Sequence, residues 1–282
     1  MEIRIEHISY IYNPGTTYEN KGLDDVSLVI GEGEFIGMIG RTGSGKSTLV
    51  QHLNGLNRAS SGKIYADGED IYAEGYPMQS LRFRVGLVFQ YPEYQLFEET
   101  VLKDVCFGPR CQGLKEEEIL SRARSAMRAV GLGGEFEKMS PFELSGGQKR
   151  RAAIAGILAM EPEMLVLDEP TAGLDPKGRH EILSLLKKLH RERNLTIVLV
   201  SHSMDDVADC AERIIVLDHG RILYDAAPRE VFSHVRELEQ VGLAAPQVSY
   251  VLEALGEKGW PVRSGATTVG ETRDEILRVM GC

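Results

Sequence analysis

Residues 35–48 read FIGMIGRTGSGKST: a short apolar run that feeds directly into a glycine-rich loop. Residues 35–39 have the length and composition of a buried strand, and residues 47–56 read as a helix, so the loop joins a strand to a helix. Within it the spacing is Gly40-x4-Gly45-Lys46-Ser47. Glycines at 40, 43 and 45 let the backbone curl so that successive N–H groups point at a phosphate. Arg41, Thr42, Ser44 and Thr48 complete the cradle, and the following helix adds its unpaired N-terminal donors and positive dipole end. Lys46 can reach β and γ oxygens, and the Ser47 hydroxyl can bind Mg²⁺. The loop fixes phosphate binding and leaves the base open. The NKxD element of a guanine-specific site is missing, because Asn20-Lys21 precedes the loop and is followed by Gly-Leu.

Downstream, residues 164–169 read MLVLDE and place two carboxylates at the end of a buried strand, where α/β sheets carry their ligand crevice. Asp168 is suited to hold Mg²⁺, directly or through water, and Glu169 to accept a proton from an attacking water. Gln90 ends a strand of its own and can join the metal shell through its amide oxygen. His202 follows the strand 196–200 and can bond a γ-phosphate and orient the water.

A second anion site is written at residues 144–148, LSGGQ. Ser145, Gly146, Gly147 and Gln148 open a helix with a hydroxyl and bare backbone donors. A run of helical character between about 91 and 145 separates this helix end from the first. Two chains arranged head to tail would bring one chain's phosphate loop onto the other's LSGGQ.

The bulk properties agree with a large domain and a small appendix: 282 residues, 43% apolar, 26% charged. No apolar window has membrane-spanning length and the start MEIRIEHISY lacks a secretory pattern, so we expect a cytoplasmic chain. The net charge of −10 argues against nucleic acid as partner, with Lys149-Arg150-Arg151 as the candidate basic patch. Cys106, Cys111, Cys210 and Cys282 form no CxxC pair and are expected as reduced thiols. Strands are expected at 3–12, 26–30 and 214–217, a hairpin at 60–71, and a charged helix at 115–130. Helices are also expected at 148–160 and 178–193, with two short ones from 229 and a last one at 272–280.

Taken together these motifs resemble the ATP-binding cassette family over roughly residues 3–230. GRTGSGKST is similar to its Walker A, Gln90 to its Q-loop, LSGGQ to its signature, LVLDE to its Walker B, Ala172-Gly173-Leu174-Asp175 to its D-loop and His202 to its switch histidine. The resemblance implies an α/β P-loop NTPase of ABC ATPase type. Its RecA-like core sheet carries an antiparallel β subdomain, an inserted α-helical signature subdomain at about 91–145, and a C-terminal extension over 231–282. It further implies ATP and Mg²⁺ as cofactors and an aromatic stacked on adenine, with Tyr12 at the expected place and Tyr18 a competitor.

Lys46 and Asp168 lie 122 residues apart with no heptad tract between, which excludes the coiled-coil chromosome-maintenance members. A single cassette excludes the translation-associated ones. Residues 9–28 and 89–109, with HLNGL at 52–56, resemble the second of the two ATPases in energy-coupling factor transporters. That implies an ATP-hydrolysing subunit of a vitamin or micronutrient importer, peripheral on the cytoplasmic face of the cell membrane. Its implied partners are an EcfA1-like ATPase, an EcfT-like transmembrane coupling subunit and an exchangeable substrate-binding membrane subunit. A homodimer in isolation stays open, and residues 228–248 resemble an extension that contacts the partner ATPase. The alternatives are the ATPase of a cobalt/nickel-type or ordinary importer, or a soluble ATP-dependent dimerising regulator.

Overall fold

The computed structural model describes residues 1–263 and 265–281. The chain begins β1 (Ile3–Tyr12), β2 (Asn20–Ile30), β3 (Phe35–Gly40), α1 (Lys46–Leu53), β4 (Ser61–Ala66), β5 (Glu69–Asp70), α2 (Met78–Arg84) and β6 (Val85–Val88). Next come α3 (Val101–Cys111), α4 (Glu116–Ala129), α5 (Gly146–Leu158), β7 (Met164–Asp168), α6 (Pro176–Arg193) and β8 (Thr196–Val200). The last third holds α7 (Met204–Cys210), β9 (Arg213–Asp218), β10 (Arg221–Ala226), α8 (Pro228–Val231), α9 (Val235–Gln240), α10 (Gln247–Glu257) and α11 (Val269–Met280).

Two sheets form. One is antiparallel, in the order β2-β1-β4-β5; the other has the order β10-β9-β3-β8-β7-β6 and is parallel except for its edge strand β10. Strands β3, β7 and β8 are buried along their whole length, which is why they read as unbroken apolar runs rather than alternating ones. Period two still operates inside them. Phe35, Ile39, Leu165, Leu167, Ile197 and Leu199 join a core with α3 to α7, while Ile36, Met38, Val166, Val198 and Val200 join a core with α1 and the antiparallel sheet.

Register then decides where the chemistry sits. Met38 and Asp168 both pair with Val200, and Val88 pairs with Leu167, so the parallel strands end in one row. The loop after β3, the Asp168-Glu169 pair after β7 and the segments after β6 and β8 therefore leave the sheet together.

Several boundaries differ from the sequence reading. β2 starts at Asn20 rather than 26, because Asn20, Lys21 and Leu23 pair by backbone with Tyr12, Ile11 and Tyr10 of β1. β6 stops at Val88, leaving Gln90 two residues beyond it. Helix α2 was not expected, and three helices rather than two precede the passage 256–270. α5 starts at Gly146 instead of 148 because Ser145 caps it: its hydroxyl accepts from the Gln148 N–H (3.4 Å) and its own N–H donates to Gln148 Oε1 (2.8 Å). α11 starts at Val269, capped by the Thr268 hydroxyl.

The basic-patch reading of Lys149-Arg150-Arg151 is corrected. Arg150 is only 2% exposed, forked onto Glu93 (2.9 and 3.2 Å) and donating to the carbonyls of Pro170 (2.9 Å) and Ala172 (2.7 Å). Its charge is spent inside the fold. Cys106, Cys111 and Cys210 are unpaired, and Cys282 lies outside the described residues.

Candidate functional site: a phosphate-loop cleft

At the row of strand ends lies a cleft of about 370 Å³, lined by Tyr12 from β1, Thr42, Gly43 and residues 45–48 of the loop, Gln90, Glu169 and His202. The N-terminus of α1 opens into it. Gly45, at φ 104°, caps that helix, and a β-carbon there would lie 2.6 Å from the Gly22 carbonyl, so both conformation and space demand glycine.

Lys46 is 5% exposed and folds back along the loop, its Nζ donating to the carbonyls of Gly40 (2.7 Å) and Arg41 (2.9 Å). Burial depresses its pKa, opposed by the charges of Glu169 and Asp168. Burial likewise pushes Asp168 above the usual carboxylate range. A hydrogen bond from the Ser47 hydroxyl works against that rise, Glu169 adds to it, and Lys46 and His202 oppose it.

Glu169 turns sharply out of β7 at φ 52°, a left-handed conformation that costs a non-glycine residue about 1–2 kcal/mol. Its N–H donates to the Val200 carbonyl (3.0 Å). Its carboxylate is held from both sides, accepting from Gln90 Nε2 at 2.8 Å on one oxygen and lying 2.7 Å from His202 Nε2 on the other. The ends of three strands thus converge on one carboxylate.

The donor set fits a nucleotide with its metal. The first N–H groups of α1 have no helix carbonyl to donate to and lie at the cleft with Lys46 to Thr48, and the Ser44 hydroxyl is buried without a partner. The Ser47 hydroxyl, the Asp168 carboxylate and the Gln90 amide are hard oxygen ligands of the kind Mg²⁺ takes.

Gly40 and Arg41 line a hollow next door, again with His202. Ser145, Gly146, Gly147 and Gln148 do not line the cleft; β-carbons at Gly146 and Gly147 would meet nothing within 4 Å, so the start of α5 offers an open face elsewhere. Asp175 caps α6, accepting from the Gly178 N–H at 2.8 Å. Tyr18 is 81% exposed and outside the cleft, which Tyr12 lines. Sequence reading missed Asn20 and Gly22, which line the cleft from a stretch read as loop. It also missed the Arg150 tether, for which the one signal was an arginine entering an alanine- and isoleucine-rich helix.

The family described as ABC transporter matches residues 23–172. Among solved structures the chain is similar to cbiO1 from Clostridium perfringens, part of the ABC transporter complex cbiONQ (TM-score 0.75, 37% identity, 89% of this chain and 98% of that one). It is also similar to the dimeric bacterial ABC transporter cassette MJ0796 (TM-score 0.71, 32% identity, 80% and 98%). Fold and site define an ABC-type P-loop ATPase coupled to transport. The energy-coupling factor transporter ATP-binding protein EcfA2 of Clostridium tetani is 55% identical over 280 residues, covering 99% of this chain and 97% of the relative. The chain belongs to that family, the energy-coupling factor transporter ATP-binding proteins of EcfA2 type. Among the described residues no helix is long and apolar enough to cross a membrane.

Proposed function

We propose that this chain hydrolyses Mg·ATP at a site shared with a second ATPase, powering an importer of vitamins or related micronutrients from the cytoplasmic face of the membrane. The observation that carries this reading is one cleft lined by a phosphate loop, the Ser47 and Gln90 oxygen ligands and a tethered glutamate, with Asp168 bonded to Ser47 behind it and the signature residues outside its lining. Residues 40–48 hold the phosphates; Ser47, Asp168 and Gln90 hold the metal; Tyr12 faces the base. Glu169 takes the proton from water that His202 orients. Ser145 to Gln148 serve the partner's nucleotide, and Asp175 stands at the junction between the two. The MJ0796 cassette is dimeric, which supports a pairing of two such chains.

Partners follow from two exposed apolar regions. A groove of about 420 Å³ between α2, α3 and α5 presents Phe97, Phe107, Ile157 and Met160, and it suits an amphipathic helix of an EcfT-like transmembrane subunit. On the extension, residues 231–282, Val251, Val269, Leu277 and Met280 are exposed and support contact with an EcfA1-like ATPase. The test is recovery of the tagged chain from membranes. A second ATPase and integral subunits should come with it, and their removal should lower ATP turnover. Full turnover by the chain alone, with no integral partner bound in cells, would replace this reading with that of a soluble ATPase.

A further inference from the structure

We propose that His52 and Tyr10 are positioning residues for the base end of the nucleotide, acting through a closed circuit of contacts that shares Thr48. The proposal rests on the reading that Tyr12 faces the base. Tyr10 and Tyr12 lie two residues apart on β1, with a shift of register against β2 just after Tyr10. Their rings meet edge to face, centroids 4.8 Å apart at 86°. Tyr10 makes a second edge contact with the His52 imidazole, at 4.9 Å and 76°. His52 sits one turn after Thr48 on α1, and its Nδ1 lies 2.7 Å from the Thr48 carbonyl. The Thr48 hydroxyl in turn lies 2.8 Å from the Tyr12 hydroxyl, which closes the circuit. Gly22 of β2 supports the remaining side: a β-carbon there would come within 2.6 Å of Tyr12 Cε2.

The chemistry of His52 explains its place. Facing a carbonyl, Nδ1 must carry the proton, so Nε2 bears a lone pair. That nitrogen is buried with no partner, in a residue that is 0% exposed. Burial holds the pKa of the ring below its ordinary value and keeps it neutral. A leucine would fill the space without an orphaned acceptor, which is costly in an interior. What the imidazole adds is the bond to Thr48 and an aromatic edge for Tyr10. Thr48 directly follows Lys46 and Ser47, so the tilt of Tyr12 and the first turn of α1 are set together.

The experiment compares binding of ATP with that of ribose 5-triphosphate, which lacks a base, to the full chain. Tyr10→Ala should weaken ATP by about 5- to 10-fold, the scale of one aromatic contact and its attendant hydrogen bond, and leave ribose triphosphate within about twofold. Tyr10→Phe should match wild type, because the ring rather than the hydroxyl makes the contacts. His52→Leu should behave like Tyr10→Ala, and His52→Asn, which returns a donor near the Nδ1 position, should recover part of the loss. Equal weakening of both ligands would show that these residues merely hold α1 in place and would overturn the proposal, as would no change in either. If wild type binds both ligands equally, the base-facing role of Tyr12 fails first and this proposal with it. Should the His52 variants not fold, the half-buried Tyr10 pair decides the question alone.

Discussion

Asp168 shows how a single residue can be set against the stability of its own fold. Burial raises its pKa, so the native chain holds that proton more tightly than the unfolded chain does. By linkage, its contribution to stability is present at low pH and is lost as pH rises through the raised value. Asp168→Asn should therefore raise the Tm of the nucleotide-free chain at neutral pH, with the gain shrinking as the solution is acidified. A gain independent of pH would rule out charge burial as its source. The same variant should lose Mg²⁺-dependent turnover. Glu169→Gln keeps shape and loses the base, so hydrolysis should slow by roughly 10²-fold or more while ATP still closes the shared interface. Phosphate release and size-exclusion chromatography with the partner ATPase would show both effects. The identities of these residues were legible because they end apolar runs. Their mutual geometry was not: Gln90 and Glu169 are 79 positions apart and meet only through the strand register.

Among the elements, α5 carries the most consequence. Its N-terminus presents the signature residues, and its first turns are anchored by Arg150 to Glu93, in the short turn Pro92–Gln95, and to the carbonyls of Pro170 and Ala172 beyond β7. One guanidinium thus ties the signature helix to the segments that follow both Gln90 and Glu169. Arg150→Met leaves Glu93 and two carbonyls without their donor, and urea denaturation should report a loss of about 3 kcal/mol. Arg150→Lys keeps the charge but not the fork, and should restore only part of it. A midpoint unchanged in both variants would make the tether incidental. The tether escaped sequence reading because a basic triplet is ordinarily a solvated face. β7 and β8 were legible because both faces of the sheet are covered, whereas the first half of β2, written KGLDD at 21–25, is held by backbone pairing and one buried side chain, Leu23, too little for an alternating pattern to announce.

For the molecule as a whole, the separation of the two anion sites makes a prediction about stoichiometry. Ser145→Arg should leave this chain's own nucleotide binding intact, since its phosphate loop is untouched. It should silence the site built on the partner's loop, and transport with it. Counting nucleotides hydrolysed at each composite site, against a wild-type partner ATPase, reads this directly. Activity lost only at the site containing Lys46 would contradict the head-to-tail reading. Lys46→Ala should do the reverse, abolishing nucleotide binding at this chain's own loop while the partner's loop still loads. Isothermal titration of each subunit would separate the two.

The last strand pair hands the chain to α8 and α9 without a break in the interior. Val231, Phe232 and Leu238 are fully enclosed and share one core with Ile214 and Val216, as do Leu243 and Ala245, whereas of α10 only the partly buried Tyr250 packs on that core and Leu252 belongs to neither main core. This matters for recombination between related cassettes. A chimera joined at residue 230 would strip enclosed side chains from one parent and graft ill-matched ones from the other. A junction near 246, ahead of α10, would leave those enclosed side chains in one parent and disturb fewer contacts, chiefly Tyr250 on the core and the ion pairs of Arg229 and Arg236. Soluble yield should be higher for the junction near 246 than for the one at 230.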